Sequence, residues 1–184
     1  PRVLLNGATL TASARITKNS WDQDLSDGGN TFNDVCTIIN SGDGEMVLAN
    51  LNPDVFNDDL EIENISSDVI NVAYGATGTE FNGNLIVNSN GSAGGIRFGQ
   101  NSGTSTLASG KTITIGGSGF TSGDLRLAWF TQNGSTSQSL TSFGGTVDLY
   151  LEEGTTFNGT VTVTSPDMFL NGATYNADAT LTKT

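Results

Sequence analysis

An aromatic residue followed by asparagine recurs along this chain, and two apolar residues follow it at fixed distance. The pair stands at Phe32-Asn33, Phe56-Asn57, Phe81-Asn82, Phe157-Asn158 and Tyr175-Asn176. Four and six residues after each aromatic come Cys36 and Ile38, Leu60 and Ile62, Leu85 and Val87, Val161 and Val163, and Ala179 and Leu181. Leu10 fits as a degenerate anchor before Ala14 and Ile16. Leu107 fits with two inserted residues before Ile113 and Ile115. From Leu10 the first intervals are 22, 24, 25 and 26 residues, after which the spacing becomes irregular. A second alternating segment follows in most units, at Met46 and Leu48, Ile70 and Val72, Ile96 and Phe98, Leu125 and Leu127, and Met168 and Leu170. Val147, Leu149 and Leu151 form another such run. Alternation with period two marks a strand with one face turned inward. Clusters of Gly, Asn, Ser and Asp between these segments are turn chemistry, and no window has a helical period.

Short strands recurring every twenty-odd residues predict an all-β chain folded as a β-solenoid. The expected form is a right-handed parallel β-helix or a close relative, with coils of about 22–26 residues. The residues at +4 and +6 point inward and stack on those of the next coil. The anchor aromatics stack as an internal ladder. The asparagine after each anchor suits a left-handed turn conformation, and stacked asparagines suit an amide ladder along the axis. Continuing the Leu125–Leu127 alternation places Trp129 inward and Phe130 outward. An antiparallel β-sandwich also yields alternating strands between turns and stays open as the alternative.

A larger repeat contains the smaller one. Leu5 to Lys18 aligns with Leu170 to Lys183 at a constant offset of 165, and nine of the fourteen positions are identical. Residues 1–184 therefore read as a single solenoid segment: one 165-residue period, 5–169, plus the start of a next copy, 170–184. Pro1 in place of Met suggests a segment of a larger precursor.

Composition narrows the function. Of 184 residues, 86 are Gly, Thr, Asn or Ser, and the charged fraction is 14%. Seven basic residues against nineteen acidic ones give a net charge of −12, which disfavours nucleic acid and anionic membrane surfaces as partners. No apolar run approaches the roughly 20 residues that span a bilayer. Histidine is absent, which removes the usual general base and the commonest transition-metal ligand. The single cysteine, Cys36, makes no internal disulfide and stands in a +4 slot, which predicts a buried thiol acting as a small hydrophobe.

Between Asn19 and Ile96 there is no Lys or Arg, and thirteen acidic residues run from Asp22 to Glu80. Asp22, Asp24 and Asp27 precede Gly28-Gly29-Asn30 as a loose candidate calcium loop, but the spacing misses the EF-hand template. Asp54, Asp58, Asp59, Glu61 and Glu63 form a second cluster, with Glu61 and Glu63 facing outward by register. A solvated acidic face is the plainer reading of both. Asp58-Asp59 and Glu152-Glu153 are sequence neighbours, so on a strand their side chains diverge and neither pair is a glycosidase dyad. The chain is expected not to be an enzyme. Threonines at Thr112, Thr114, Thr160, Thr162, Thr164, Thr180 and Thr182 suggest an outward ladder. Thr37, Ile39, Glu61, Glu63, Ile86 and Asn88 interrupt it too often for an ice-binding plane.

The strings Thr79-Glu80-Phe81-Asn82-Gly83-Asn84-Leu85-Ile86-Val87, Leu107 to Gly116 and Thr155-Thr156-Phe157-Asn158-Gly159-Thr160-Val161 resemble the long tandem repeats of giant secreted surface proteins in gliding Bacteroidota. Those are adhesins and filament-forming substrates of the type IX secretion system. The resemblance implies an extracellular or cell-surface location and a structural role in a homo-oligomeric filament or adhesin shaft, with neighbouring copies of the chain as partners. It brings no catalytic residues. A carbohydrate- or surface-ligand-binding module, calcium-assisted or not, is the alternative reading, and a polysaccharide-active enzyme is the third.

Overall fold

Three parallel sheets run the length of the molecule, and each coil of chain contributes one strand to each in turn. The computed structural model describes residues 2–91 and 94–184. The first face has eight strands, Thr9–Leu10, Thr31–Phe32, Val55–Phe56, Thr77–Phe81, Thr104–Leu107, Phe130–Gln132, Thr156–Phe157 and Thr174–Tyr175, paired in that order. The second face begins with five, Ala14–Lys18, Cys36–Asn40, Leu60–Asn64, Leu85–Ser89 and Ile113–Phe120. It resumes as a separate set of three, Gln138–Leu140, Val161–Ser165 and Ala179–Lys183. The third face has seven, Asp24–Leu25, Met46–Val47, Val69–Val72, Gly95–Phe98, Asp124–Leu127, Asp148–Glu152 and Asp167–Asn171. Every ladder between these strands is parallel, which makes the fold a β-solenoid and removes the antiparallel sandwich.

The alternating pattern sets the register. Cys36 pairs with Leu60, Leu60 with Leu85, and Ile38 with Ile62, so the +4 and +6 residues form two inward columns. The degenerate anchor Leu10 pairs with Phe32, and Leu107 with Phe81, as their spacing predicts. The second alternating segment builds the third face, where Met46, Ile70, Ile96, Leu125, Leu149 and Met168 stack in one column. These columns meet in one continuous hydrophobic core. Each coil is thus too thin to bury its apolar face alone and does so against its neighbours.

The aromatic ladder is present but interrupted. Phe32 and Phe56 stack with centroids 4.6 Å apart and nearly parallel rings. Phe56 and Phe81 follow at 5.6 Å, and Phe157 and Tyr175 at 5.8 Å. Between the two stacks the slot holds Leu107 and then Gln132, which pairs with Phe157. The coil anchored by Gln132 carries no aromatic-asparagine pair, which is why the spacing looked irregular. Phe98 and Phe130 fill the neighbouring core instead, edge-on to each other at 5.9 Å.

Two expectations are corrected. The anchor asparagines are not left-handed. Positive φ falls instead at the corner after the third face, at Ala49 and Ala73 (both φ 51), Gly99 and Trp129. The asparagines do form the expected amide ladder: Asn57 donates to Asn33 at 2.8 Å, Asn82 to Asn57 at 3.2 Å and Asn176 to Asn158 at 2.7 Å. The inward and outward roles of Trp129 and Phe130 are also reversed. Phe130 is fully buried and Trp129 is 40% exposed. The strand ends at Leu127, and the left-handed Trp129 (φ 51) turns the corner, so the alternation restarts with Phe130 inward.

Candidate functional site

The two ends of the molecule are copies of one another. Strands Thr9–Leu10 and Ala14–Lys18 match Thr174–Tyr175 and Ala179–Lys183 at both bounds under the offset of 165. Residues 2–6 correspond to the last third-face strand, Asp167–Asn171, and they occupy the matching place. The Val3 N–H donates to Asp24 at 2.9 Å, Leu5 N–H to the Ser26 hydroxyl at 3.0 Å, and Gly7 N–H to the Gly28 carbonyl at 2.9 Å. At the far end the last coil presents an open strand edge with Phe169 and Leu170 exposed.

The candidate calcium residues differ in burial. Asp24 heads the inward third-face column, paired with Met46 and fully buried, whereas Asp22 is exposed and Asp27 half-buried. Among the described residues no group of three or more His, Cys, Asp or Glu side chains is placed to hold a metal ion. Cys36 lies in the core, and burial, aided by the charge of Asp54, pushes its thiol up to about 12. A thiol so far above neutrality is not a nucleophile. The threonine columns run Thr162 to Thr180 and Thr164 to Thr182, but elsewhere the column holds Ile86 beside Thr114 and Thr37 beside Glu61.

The outer side of the third face carries features that were not singled out in the sequence. The residue between each inward pair points outward, which makes a column Asn71, Arg97, Arg126, Tyr150 and Phe169. That spacing is legible once Ile96/Phe98, Leu125/Leu127 and Leu149/Leu151 are taken as inward pairs. Nearly buried Asp124 accepts from Arg97 Nε at 2.9 Å and has Arg126 Nε 3.5 Å away. Arg126 Nη1 reaches Glu152 at 3.2 Å. The Arg126 guanidinium also lies 4.4 Å above the Tyr150 ring, and Tyr150 stacks on Phe169 at 4.5 Å.

Two shallow depressions of about 320 Å³ each flank this network. One is lined by Arg97, Asp124, Arg126, Asp148 and Tyr150, the other by Trp129, Glu152, Glu153 and Asn171. No protein-family model, curated protein or solved structure matches the chain.

Proposed function

We infer that the chain is a structural repeat unit of an extracellular, homo-oligomeric filament or adhesin shaft, which acts by mechanical attachment and tandem stacking and not by catalysis. The observation that carries this reading is the 165-residue equivalence of the two ends, which holds residue by residue for the strands of the first and last coils. A coil that buries its core only against a neighbour leaves unpaired N–H and C=O groups at each end, and such edges template another strand. The last coil shares nine of fourteen residues and both strand bounds with a coil that a further coil already covers at the other end. The next copy therefore meets a surface suited to it. The resemblance to repeats of secreted surface proteins supports a location outside the cell.

Light scattering and negative-stain electron microscopy of the purified chain across a concentration series test this. Rods or filaments that lengthen with concentration are expected. A compact monomer at every concentration overturns the filament reading.

A further inference from the structure

We propose that the outer side of the third face binds a neutral oligosaccharide along the groove between strands Asp124–Leu127 and Asp148–Glu152, with Trp129 as its platform. The two depressions lie end to end along this one strand pair. The first spans Asp124 and Arg126 beside Asp148 and Tyr150. The second spans Ala128 and Trp129 beside Glu152 and Glu153. Together they make an interrupted trough along the strands, with the Arg126–Glu152 pair and the Tyr150 ring standing between the two depressions.

Trp129 is the first reason for assigning a ligand here. A positive φ is a genuine outlier for a bulky residue, and such strain gathers at binding sites. Earlier coils turn this corner with their positive φ one register earlier, at Ala49, Ala73 or Gly99, the column that Ala128 continues here. This coil instead places its largest side chain at φ 51 and leaves it 40% exposed. The following coil makes room for it. A Cβ on Gly154 would stand 2.3 Å from Trp129 Cε3 and 2.6 Å from Cδ2, so the indole rests on a bare α-carbon. The ring is therefore seated, with its remaining surface open to the trough. A rigid aromatic surface with a polar N–H handle suits a partner that is apolar on one face and polar at its edges, as a sugar ring is.

Charge selects the class. Both guanidiniums beside the depressions are paired with carboxylates, Arg97 through Nε with Asp124, and Arg126 with Asp124 and Glu152. Asp148 and Glu153 add two further carboxylates. Among the described lining residues four carboxylates, Asp124, Asp148, Glu152 and Glu153, stand against the two guanidiniums, a balance that disfavours an anionic polymer, whereas carboxylates accept hydrogen bonds from hydroxyl groups. The ligand that fits is hydroxyl-rich and uncharged. A single chain carries the whole trough, so the proposal does not depend on stacking between copies.

Affinity electrophoresis through gels containing dextran, mannan, laminarin or alginate tests it, with the unaltered chain, Trp129→Ala, Glu153→Gln and Trp21→Ala run side by side. Ala49 and Ala73 show that this chain accommodates alanine at φ 51, so Trp129→Ala is expected to keep the fold, and an unchanged melting curve verifies that. At least one neutral polysaccharide should retard the unaltered chain and Trp21→Ala equally. Trp129→Ala should bind it at least about tenfold more weakly, and Glu153→Gln should weaken binding less. The proposal is overturned if no neutral polysaccharide retards the chain, if Trp129→Ala is retarded as strongly as the unaltered chain, or if alginate alone is bound.

Discussion

Asp54 sits two residues before the anchor Phe56, in a buried column with Asn30, Thr79 and Ser105. Its Oδ1 accepts from the Asn30 backbone N–H at 2.9 Å and from Asn30 Nδ2 at 2.8 Å. Burial nevertheless pushes its pKa above the ordinary 3.8, because the donors of Asn30 and the Ala49 backbone pull it back without cancelling the loss of water. A raised folded pKa means that the native state binds the proton more tightly than the unfolded chain does. The associated stability is fully present below the unfolded pKa and is lost as pH rises through the folded one. Asp54 therefore favours folding on acidification, opposite to a carboxylate held in a salt bridge. Replacing it by Asn keeps an acceptor for Asn30 without the buried charge. Asp54→Asn should be more stable than the parent at pH 7 by about 1 kcal/mol, and the gap should close as pH falls toward 4. Urea titrations of both proteins across that range measure it, and a gap that widens on acidification refutes the burial argument. None of this was legible beforehand. The sequence places Asp54 in an acidic cluster that reads as solvated, and its burial depends on Asn30 and Thr79, each about one coil away.

At the scale of elements, the second face divides where strand Ile113–Phe120 meets Gln138–Leu140, and a side chain closes the gap. In regular coils the first N–H of a second-face strand donates to the carbonyl just before the next strand, as Cys36 does to Asp59 and Leu85 to Thr112. Ile113 N–H instead donates to Gln138 Oε1 at 2.9 Å, and Gln138 Nε2 donates to the Lys111 and Thr136 carbonyls. Gln132 acts likewise in the anchor slot of that coil. Its Oε1 accepts from the Asn158 and Gly159 N–H groups, and its Nε2 donates to the Gly134 and Thr136 carbonyls. Two buried amides thus replace a stretch of ladder. Gln138→Leu keeps the volume close but strands Ile113 N–H in the core, so it should cost about 1–3 kcal/mol in urea unfolding. A neutral result there would mean that water or a shifted strand satisfies the seam. Coils with apolar residues in their inward slots were legible because the alternation states the pleat directly. This coil was not, because glutamines stand where the pattern calls for an anchor and a +4 apolar residue. The reversal at Trp129 and Phe130 has the related cause that a left-handed corner resets the alternation.

Over the whole molecule, stability in a solenoid is close to a sum of coil terms and interface terms between neighbours, so the end coils are the weakest part. Lys18 and Lys183 show what a covering coil changes. They are the same residue under the offset of 165, yet Lys18 is 1% exposed, with Nζ donating to the Ser20 carbonyl. The Lys183 side chain is 68% exposed and pairs with Asp167 at the surface. The difference is the strand Cys36–Asn40, which pairs with Ala14–Lys18 and has no counterpart beyond Ala179–Lys183. A chain in which residues 20–184 are appended after Thr184 supplies that counterpart, because the appended Cys36–Asn40 then follows Ala179–Lys183 at the spacing at which it follows Ala14–Lys18. If the junction is an ordinary coil interface, the longer chain should unfold in one transition, with a higher urea midpoint and an m-value about twice that of the single copy. The backbone amides of Ala179–Lys183 should then exchange with solvent as slowly as those of Ala14–Lys18. Two transitions, one at the midpoint of the single chain, or amides at Ala179–Lys183 that still exchange fast, would show that the copies hang as independent beads and that the 165-residue match is a relic of duplication rather than a stacking interface.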